Sequence, residues 1–132
     1  MARVKRQYCD SGYLFAEWFE VNGIAEGIYK SYWCDGQPKL ICNYVNGKKE
    51  GEEKLYLCGQ IWYICNYVNG IKQGEYRDYQ TNGELWLIGN YVNDMKEGKE
   101  KTYYNGQLVE ICNYVNGEKV SSNKVKDEDD DN

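Results

Sequence analysis

Apolar and polar positions along the chain follow the alternation of β-strands and keep no sustained helical period. Segments such as ELWLIGNYV (84–92) and QLVEICNYV (107–115) are rich in Ile, Val, Leu, Tyr and Trp, and these residue types favour strands. Asn-Gly or Asp-Gly pairs interrupt the segments, and such pairs readily adopt the positive φ angles of tight hairpin turns. The pattern therefore predicts an all-β chain made of consecutive hairpins.

The predicted hairpins form a sequence repeat. The segment ICNYVNG occupies residues 41–47, 64–70 and 111–117, and IGNYVND occupies 88–94. Three glycine columns recur at steps of 24, 23 and 24 residues, and a tyrosine column accompanies them. The alternation in length arises in a turn that reads YWCDG in one unit and YLCG in the next. Each repeat is therefore one hairpin whose turn tolerates an extra residue.

The repeat predicts one elongated domain over residues 1–120, a single-layer antiparallel meander of about five stacked β-hairpins and about ten strands. A degenerate N-terminal capping unit covers about 2–23, and repeats follow at about 24–47, 48–70, 71–94 and 95–117. Residues 121–132 contain the acidic run DEDDD and are predicted to be a disordered tail.

Strand alternation predicts which side chains share a face of this sheet. One face holds columns of isoleucine, valine and asparagine, together with Trp62 and Trp86. The opposite face holds a tyrosine column and a cysteine column: Tyr44, Tyr67, Tyr91 and Tyr114, with Cys42, Cys65 and Cys112. Because no predicted helix covers either face, the sheet must curl on itself, pair with a second copy or leave a groove for a partner.

The net charge of −5 is concentrated in the tail, since DEDDD holds five of the 21 acids and the other 16 balance the 16 Lys and Arg. A neutral body lacks the basic surplus of a nucleic-acid binder, so no nucleic-acid partner is expected. The sequence shows no apolar run of membrane-spanning length and no apolar signal-peptide core. These features predict a cytoplasmic location.

Six cysteines and the absence of histidine limit the chemistry that we expect. In the cytoplasm all six cysteines should stay reduced. Equivalent positions of successive hairpins lie about 9–10 Å apart, too far for a disulfide or for several thiolates around one metal ion. His-based catalysis is excluded, and the acids repeat with the hairpins instead of converging. We therefore expect no metal, no cofactor, no catalytic residue and no enzymatic activity.

The repeats resemble the MORN repeat family, and more closely its variant form. The pattern NGxxxGxxxxY…NGxLxxxxNYxNG is matched by NGKKEGEEKLY, NGIKQGEYRDY and NDMKEGKEKTY, each with its return strand, over about residues 8–120. The first unit, YCDSGYLFAEWFEVNG, lacks the NYVNG spelling, and Asp94 replaces a glycine. The resemblance implies an elongated, curved hairpin array without catalytic residues. Giant viruses of amoebae and a bacterial antitoxin family carry similar repeats, and a viral origin would place the protein in the host cytoplasm.

The expected function is a non-enzymatic scaffold or adaptor that binds another protein, including a second copy of itself as a homodimer. Its candidate partner-binding residues are aromatic: Trp62, Tyr63, Trp86, Tyr44, Tyr67, Tyr91 and Tyr114. For the tyrosine column, ring stacking between hairpins is the structural alternative.

Two further functions stay open from the sequence. The first is an antitoxin-like inhibitor that uses the same surface on one dedicated protein. The second is a peripheral membrane adaptor, in which a lysine column would face anionic phospholipids: Lys49, Lys72, Lys96 and Lys119. Interleaved glutamates such as Glu50 and Glu97 favour ion pairing across strands over lipid binding for this column.

Overall fold

The computed structural model of the protein describes residues 1–125, and every element within this range is a β-strand. Numbered in chain order, eleven strands form the body of one sheet: β1 (Ala2–Tyr8), β2 (Leu14–Val21), β4 (Gly27–Tyr32), β5 (Pro38–Val45), β7 (Gly51–Leu57), β8 (Gln60–Val68), β10 (Gly74–Tyr79), β11 (Leu85–Val92), β13 (Gly98–Tyr104), β14 (Gln107–Val115) and β15 (Glu118–Lys124). Four two-residue strands lie between them: β3 (Ile24–Ala25), β6 (Lys48–Lys49), β9 (Ile71–Lys72) and β12 (Met95–Lys96).

The strands pair in the order in which they occur along the chain. Five hairpins, β1–β2, β4–β5, β7–β8, β10–β11 and β13–β14, follow one another in a single antiparallel sheet that ends with β15. The predicted all-β meander of stacked hairpins is confirmed. The structure adds β15, which pairs with β14, and it adds the four short strands. Each short strand pairs with the end of the strand before it, and the chain then crosses to the next hairpin.

The Asn-Gly turns adopt the backbone conformation that their sequence predicts. Asn46 and Gly47 have φ angles of 52° and 80°, and two consecutive positive values define the turn type that matches the twist of a hairpin. At the opposite end of the hairpins, two-residue turns such as Asn105–Gly106 alternate with longer ones such as 33–37, closed by hydrogen bonds from Trp33 N to Gln37 O and from Gly36 N to Trp33 O.

Each hairpin contains a β-bulge in its returning strand, which the sequence analysis did not predict. In β7–β8, Leu55 faces Tyr63 and Tyr56 faces Ile61, so that Trp62 has no partner of its own. The equivalent unpaired residues recur in every hairpin: Phe15, Lys39, Trp62, Trp86 and Val109. Because a bulge inserts one residue into the alternation, its side chain need not point to the face that strict alternation predicts.

Successive Asn-Gly turns are joined by a repeated set of hydrogen bonds, which closes the open end of the hairpin between them. Gly70 N donates to Lys49 O at 2.8 Å, and Asn69 N donates to the Glu50 carboxylate at 2.7 Å. The same side-chain bond recurs in the neighbouring units, as Glu26–Asn46, Gln73–Asn93 and Glu97–Asn116. Glu50 and Glu97, which the sequence placed in the charge balance of the lysine column, therefore tie the two ends of their own hairpin together.

One face of the sheet is buried although no second layer formed by residues 1–125 covers it. Cys42, Cys65 and Cys112 are at most 3% exposed, and the cross-strand neighbours Glu53 and Glu100 are also buried. We call this side the cysteine face. The opposite side, the isoleucine face, alternates half-buried isoleucines with basic residues of the neighbouring strands. The small core of the protein therefore lies on the cysteine face, where side chains cover one another.

Two predictions at the ends of the chain need correction. Cys9 and Cys34 form a disulfide with a Cα–Cα distance of 6.0 Å, whereas all six cysteines were expected to stay reduced. The spacing argument applied to equivalent positions, and these two are not equivalent: Tyr8 and Tyr32 share a column, so Cys34 lies one residue further along its turn than Cys9. In addition, β15 extends to Lys124, into the segment predicted to be a disordered tail from residue 121. The acidic run lies outside the described residues.

Candidate functional site

An open depression of about 380 Å³ lies across β7, β8, β10 and β11, and its walls are Leu55, Trp62, Tyr63, Asp78 and Trp86. The two indoles are 46% and 47% exposed, unusually high for tryptophan side chains outside an interface. The structure thus brings together Trp62, Tyr63 and Trp86, three of the residues that the sequence singled out for partner binding.

The bulges explain why these side chains meet. Leu55, Tyr63 and Asp78 are direct cross-strand neighbours and therefore point to the same side of the sheet. Trp62 and Trp86 are bulge residues and line the depression with them. The prediction that both tryptophans share the isoleucine face is therefore wrong, because it applied strict alternation through a bulge.

Asp78 and Leu55 belong to the site although the sequence analysis did not select them. Asp78 lies on β10, between the strands that carry the two tryptophans, with Tyr63 and Leu87 as its cross-strand neighbours. Partial burial raises the pKa of Asp78, and the charge of Glu100 adds to this while Lys96 opposes it. A signal for the site does exist in the sequence. The bulge positions recur at the repeat period, and only the units around β8 and β11 place tryptophan there.

The tyrosine column lies on the cysteine face and is covered by lysines of the preceding turn. The ammonium groups of Lys49, Lys72 and Lys96 lie 5.1 Å from the ring centroids of Tyr67, Tyr91 and Tyr114, respectively. Tyr44 contacts the ring of Tyr29 instead, at 6.1 Å. These cation–π and aromatic contacts engage the rings within the chain. The structural alternative predicted ring stacking between hairpins, whereas three of these rings contact lysines and Tyr44 contacts a tyrosine of its own hairpin.

Two of the lysines also bind buried carboxylates. Lys96 Nζ donates to Glu100 at 2.7 Å, and Lys49 forms the same contact with Glu53. Burial lowers the pKa of Lys49, but its hydrogen bond and charge interaction with Glu53 outweigh this, so that the net pKa is raised. Lys119 is exposed on β15, opposite Tyr114. The candidate lipid-facing lysines are thus not equivalent, and Lys49 and Lys96 are held against the sheet.

Lys54 and Arg77, on the first strands of their hairpins, form ion pairs within their own strands, whereas Arg6 of β1 pairs across to Glu17 of β2 at 2.7 Å. Lys54 lies 3.5 Å from Glu52, and Arg77 lies 2.5 Å from Glu75. Each of these side chains is more than a third exposed, and exposed pairs of this kind contribute little to stability.

The β10–β11 hairpin departs from its neighbours at the centre of the cysteine face. Tyr76 takes the place of Glu53 or Glu100, and Gly89 takes the place of the cysteine opposite it. The Tyr76 ring occupies the space in which a Cβ atom at Gly89 would lie, and its hydroxyl donates to Glu100 on the next hairpin. Burial, together with this hydrogen bond, raises the pKa of Tyr76. The glycine of IGNYVND, Gly89, is therefore explained by the Tyr76 ring, which occupies the space that a side chain at residue 89 would fill.

The cysteine column behaves as packed apolar side chains. Burial raises the pKa of the Cys42 thiol to about 11 and also raises that of Cys65. Within residues 1–125, the structure gathers no group of three or more side chains that could hold a metal ion. The same range contains no helix of the length and apolar character that a membrane crossing requires.

Comparison with known families agrees with this geometry. The profile of the MORN repeat variant matches residues 25–46, 72–93 and 96–116, and each match runs from the short strand before one hairpin to the Asn of the next Asn-Gly or Asn-Asp turn. No curated protein matches the chain. MORN repeats are associated with protein or membrane interaction in general. The repeated hairpins and the three matches together show that the chain belongs to the MORN repeat family in its variant form.

Proposed function

We propose that the protein is a non-enzymatic scaffold or adaptor that binds another protein through the depression between Trp62 and Trp86. The observation that supports this is the half exposure of two tryptophans side by side on a rigid sheet, with Tyr63 and Leu55 beside them. Tryptophan and tyrosine dominate the binding energy of protein interfaces. The tyrosine column is less suited to this role, because three of its rings already contact lysines of the chain and that of Tyr44 contacts Tyr29.

The test is affinity capture from the native cell with three versions of the chain. They are the unmodified protein, a Trp62→Ser/Trp86→Ser variant, and a Trp18→Phe control, since Trp18 packs on Tyr29 away from the depression. We expect a protein that binds the unmodified chain and the control but not the double variant, and that rebinds when both components are purified. Equal capture by all three versions, or capture by none, would contradict the proposal.

Self-association remains part of this proposal, because a second copy can bury the same tryptophans. Light scattering on the unmodified chain and on the double variant measures it directly. If the partner is a second copy, the unmodified chain forms a dimer at high concentration and the double variant stays monomeric.

The antitoxin-like function would use the same surface on one dedicated toxic protein, and the identity of the captured protein distinguishes it from a general adaptor.

For the membrane alternative, the pairing of Lys49 and Lys96 with buried carboxylates leaves fewer free cations to meet a lipid surface. We therefore place protein binding first.

For the location we propose the cytoplasm. The Cys9–Cys34 disulfide is the observation that counts against this location, because reducing compartments keep protein thiols reduced. Rapid thiol trapping in intact cells tests it: a cytoplasmic protein should show Cys9 and Cys34 as free thiols at steady state, and a fully formed disulfide would contradict this location.

A further inference from the structure

The depression between the tryptophans has the geometry of a site for a positively charged group. Trp62 and Trp86 occupy equivalent positions on β8 and β11, two strands apart, which corresponds to about 9–10 Å. An ammonium group contacts an aromatic ring at up to about 6 Å from the ring centroid. One cation placed between the two indoles can therefore contact both of them.

Asp78 supplies negative charge at the middle of this site. It lies on the strand between the two tryptophans and lines the same depression. An aspartate carboxylate is ionised at neutral pH under ordinary conditions. Among the described residues, the carboxylate of Asp78 takes part in no ion pair, because Lys96 binds Glu100, and the basic residues Lys54 and Arg77 pair with glutamates of their own strands.

The protein uses the same combination of groups elsewhere to hold its own lysines. Lys96 lies between the rings of Tyr76 and Tyr114, at 5.4 and 5.1 Å, and donates to the Glu100 carboxylate at 2.7 Å. In the bulge column itself, the ammonium of Lys39 lies 4.8 Å from the Trp33 ring centroid and 5.9 Å from that of Phe15. At the depression, two aromatic walls and a carboxylate are present, and no cationic side chain of residues 1–125 pairs with Asp78.

We propose that the Trp62–Asp78–Trp86 depression binds the ammonium group of a lysine side chain on a partner protein. The indoles contact the cation and its aliphatic stem, and Asp78 pairs with its charge. The inference rests on the proposed function and deepens it, because it names the chemistry by which the tryptophan surface recognises its partner. A partner without a lysine at the contact should bind more weakly, because its binding would bury the Asp78 carboxylate without a compensating charge.

The experiment titrates the full chain with short peptides and follows the indole N–H signals by NMR. The probes are acetyl-Gly-Lys-Gly-amide and acetyl-Gly-norleucine-Gly-amide, which share an aliphatic stem and differ in the ammonium group. We expect saturable shifts of the Trp62 and Trp86 signals with the lysine peptide, and binding at least about tenfold weaker with the norleucine peptide. The signals of Trp18 and Trp33 should stay in place.

Two variants carry the same change of charge at different places. Asp78→Asn should weaken binding of the lysine peptide at least about fivefold, whereas Asp10→Asn, in the exposed first turn, should leave it unchanged. An unaltered spectrum away from the site confirms that each variant is folded. Equal binding of the two peptides, or equal binding by both variants, would overturn the proposal.

These outcomes separate this inference from the proposed function. If the Trp62→Ser/Trp86→Ser variant loses the captured partner while Asp78→Asn binds the lysine peptide normally, the tryptophan surface stands as the interface and the cation site is excluded. If the tryptophan variant keeps its partner, the proposed function itself fails.

Discussion

At the residue scale, the fold depends on a few positions where the backbone takes a positive φ angle. Asparagine and glycine occupy most of these positions, because asparagine tolerates the left-handed region and glycine has no Cβ atom to clash there. This chemistry was readable from the sequence, since Asn-Gly pairs mark hairpin turns. Cys58 is an exception, with a φ angle of 52° at the first position of a two-residue turn.

Replacing Cys58 with asparagine should therefore stabilise the protein. The left-handed conformation is costly for an ordinary side chain, and the equivalent turn of the β13–β14 hairpin already has asparagine, at Asn105 with a φ angle of 51°. We expect Cys58→Asn to raise the free energy of unfolding by about 0.5–1 kcal/mol and the reciprocal Asn105→Cys to lower it by a similar amount. Urea unfolding measures both, and changes of the same sign in the two variants would contradict this account of the turn.

A second residue-scale prediction concerns the contact between Tyr76 and Gly89. Gly89→Cys restores the residue of the neighbouring hairpins but places its side chain in the space of the Tyr76 ring, so it should destabilise the protein by about 1–3 kcal/mol. The double variant Tyr76→Glu/Gly89→Cys reproduces the neighbouring arrangement and puts a carboxylate four residues after Lys72, as Glu53 follows Lys49. It should recover at least half of the loss in thermal or urea unfolding. Additive effects of the two substitutions would show that the residues are not coupled.

At the element scale, hairpins and their order could be predicted from the sequence, but the bulges could not. Period-two alternation and turn residues are local features, so they show where a strand lies without knowledge of its partner. For this reason ICNYVNG predicted a returning strand correctly. A bulge depends on how two strands pair, and pairing is not visible in one strand alone. Trp62 and Trp86 were therefore assigned to the wrong face, and Asp78 was missed as their neighbour.

The hydrogen bonds between successive Asn-Gly turns lead to a prediction at this scale. The Glu50 carboxylate, just before β7, accepts the backbone N–H of Asn69, just after β8 of the same hairpin, and Glu50→Ala removes this acceptor. We expect a loss of about 0.5–1.5 kcal/mol in the free energy of unfolding. Glu52→Ala is the matched control, because the Glu52 side chain is 54% exposed and pairs with Lys54 at 3.5 Å, a contact that should contribute less than about 1 kcal/mol. A larger loss for the control would contradict the role of Glu50.

At the scale of the whole molecule, the sheet has one buried face and one half-exposed face, and the described part of the chain, residues 1–125, forms no covering layer. The sequence predicted the absence of a cover, but the small size of the core and the disulfide between the first two hairpins emerged only from the structure. Long-range contacts of this kind depend on how adjacent turns approach each other. The distance estimate from the sequence considered only equivalent positions of the repeat, whereas Cys9 and Cys34 differ by one residue in their positions after the column tyrosines.

The state of the cysteines makes this arrangement measurable on the purified chain. Without reductant, a thiol reagent near pH 8 should modify Cys58 rapidly, because it is exposed. The buried thiols of Cys42, Cys65 and Cys112 should react slowly, since burial limits access to them and, for Cys42 and Cys65, raises the thiol pKa. Unfolding should release four reactive thiols in total, and reduction two more. Six thiols before reduction would contradict the Cys9–Cys34 bridge.

The central claim is that the tryptophan depression is the surface with which this MORN repeat protein binds its partner. The most direct measurement is fluorine NMR of the chain labelled with fluorotryptophan, which reports its four tryptophans separately, with and without the captured protein. We predict that the signals of Trp62 and Trp86 shift on binding, while those of Trp18, packed on Tyr29, and Trp33, bonded to Tyr56 O, stay in place. Shifts confined to Trp18 or Trp33 would contradict the claim.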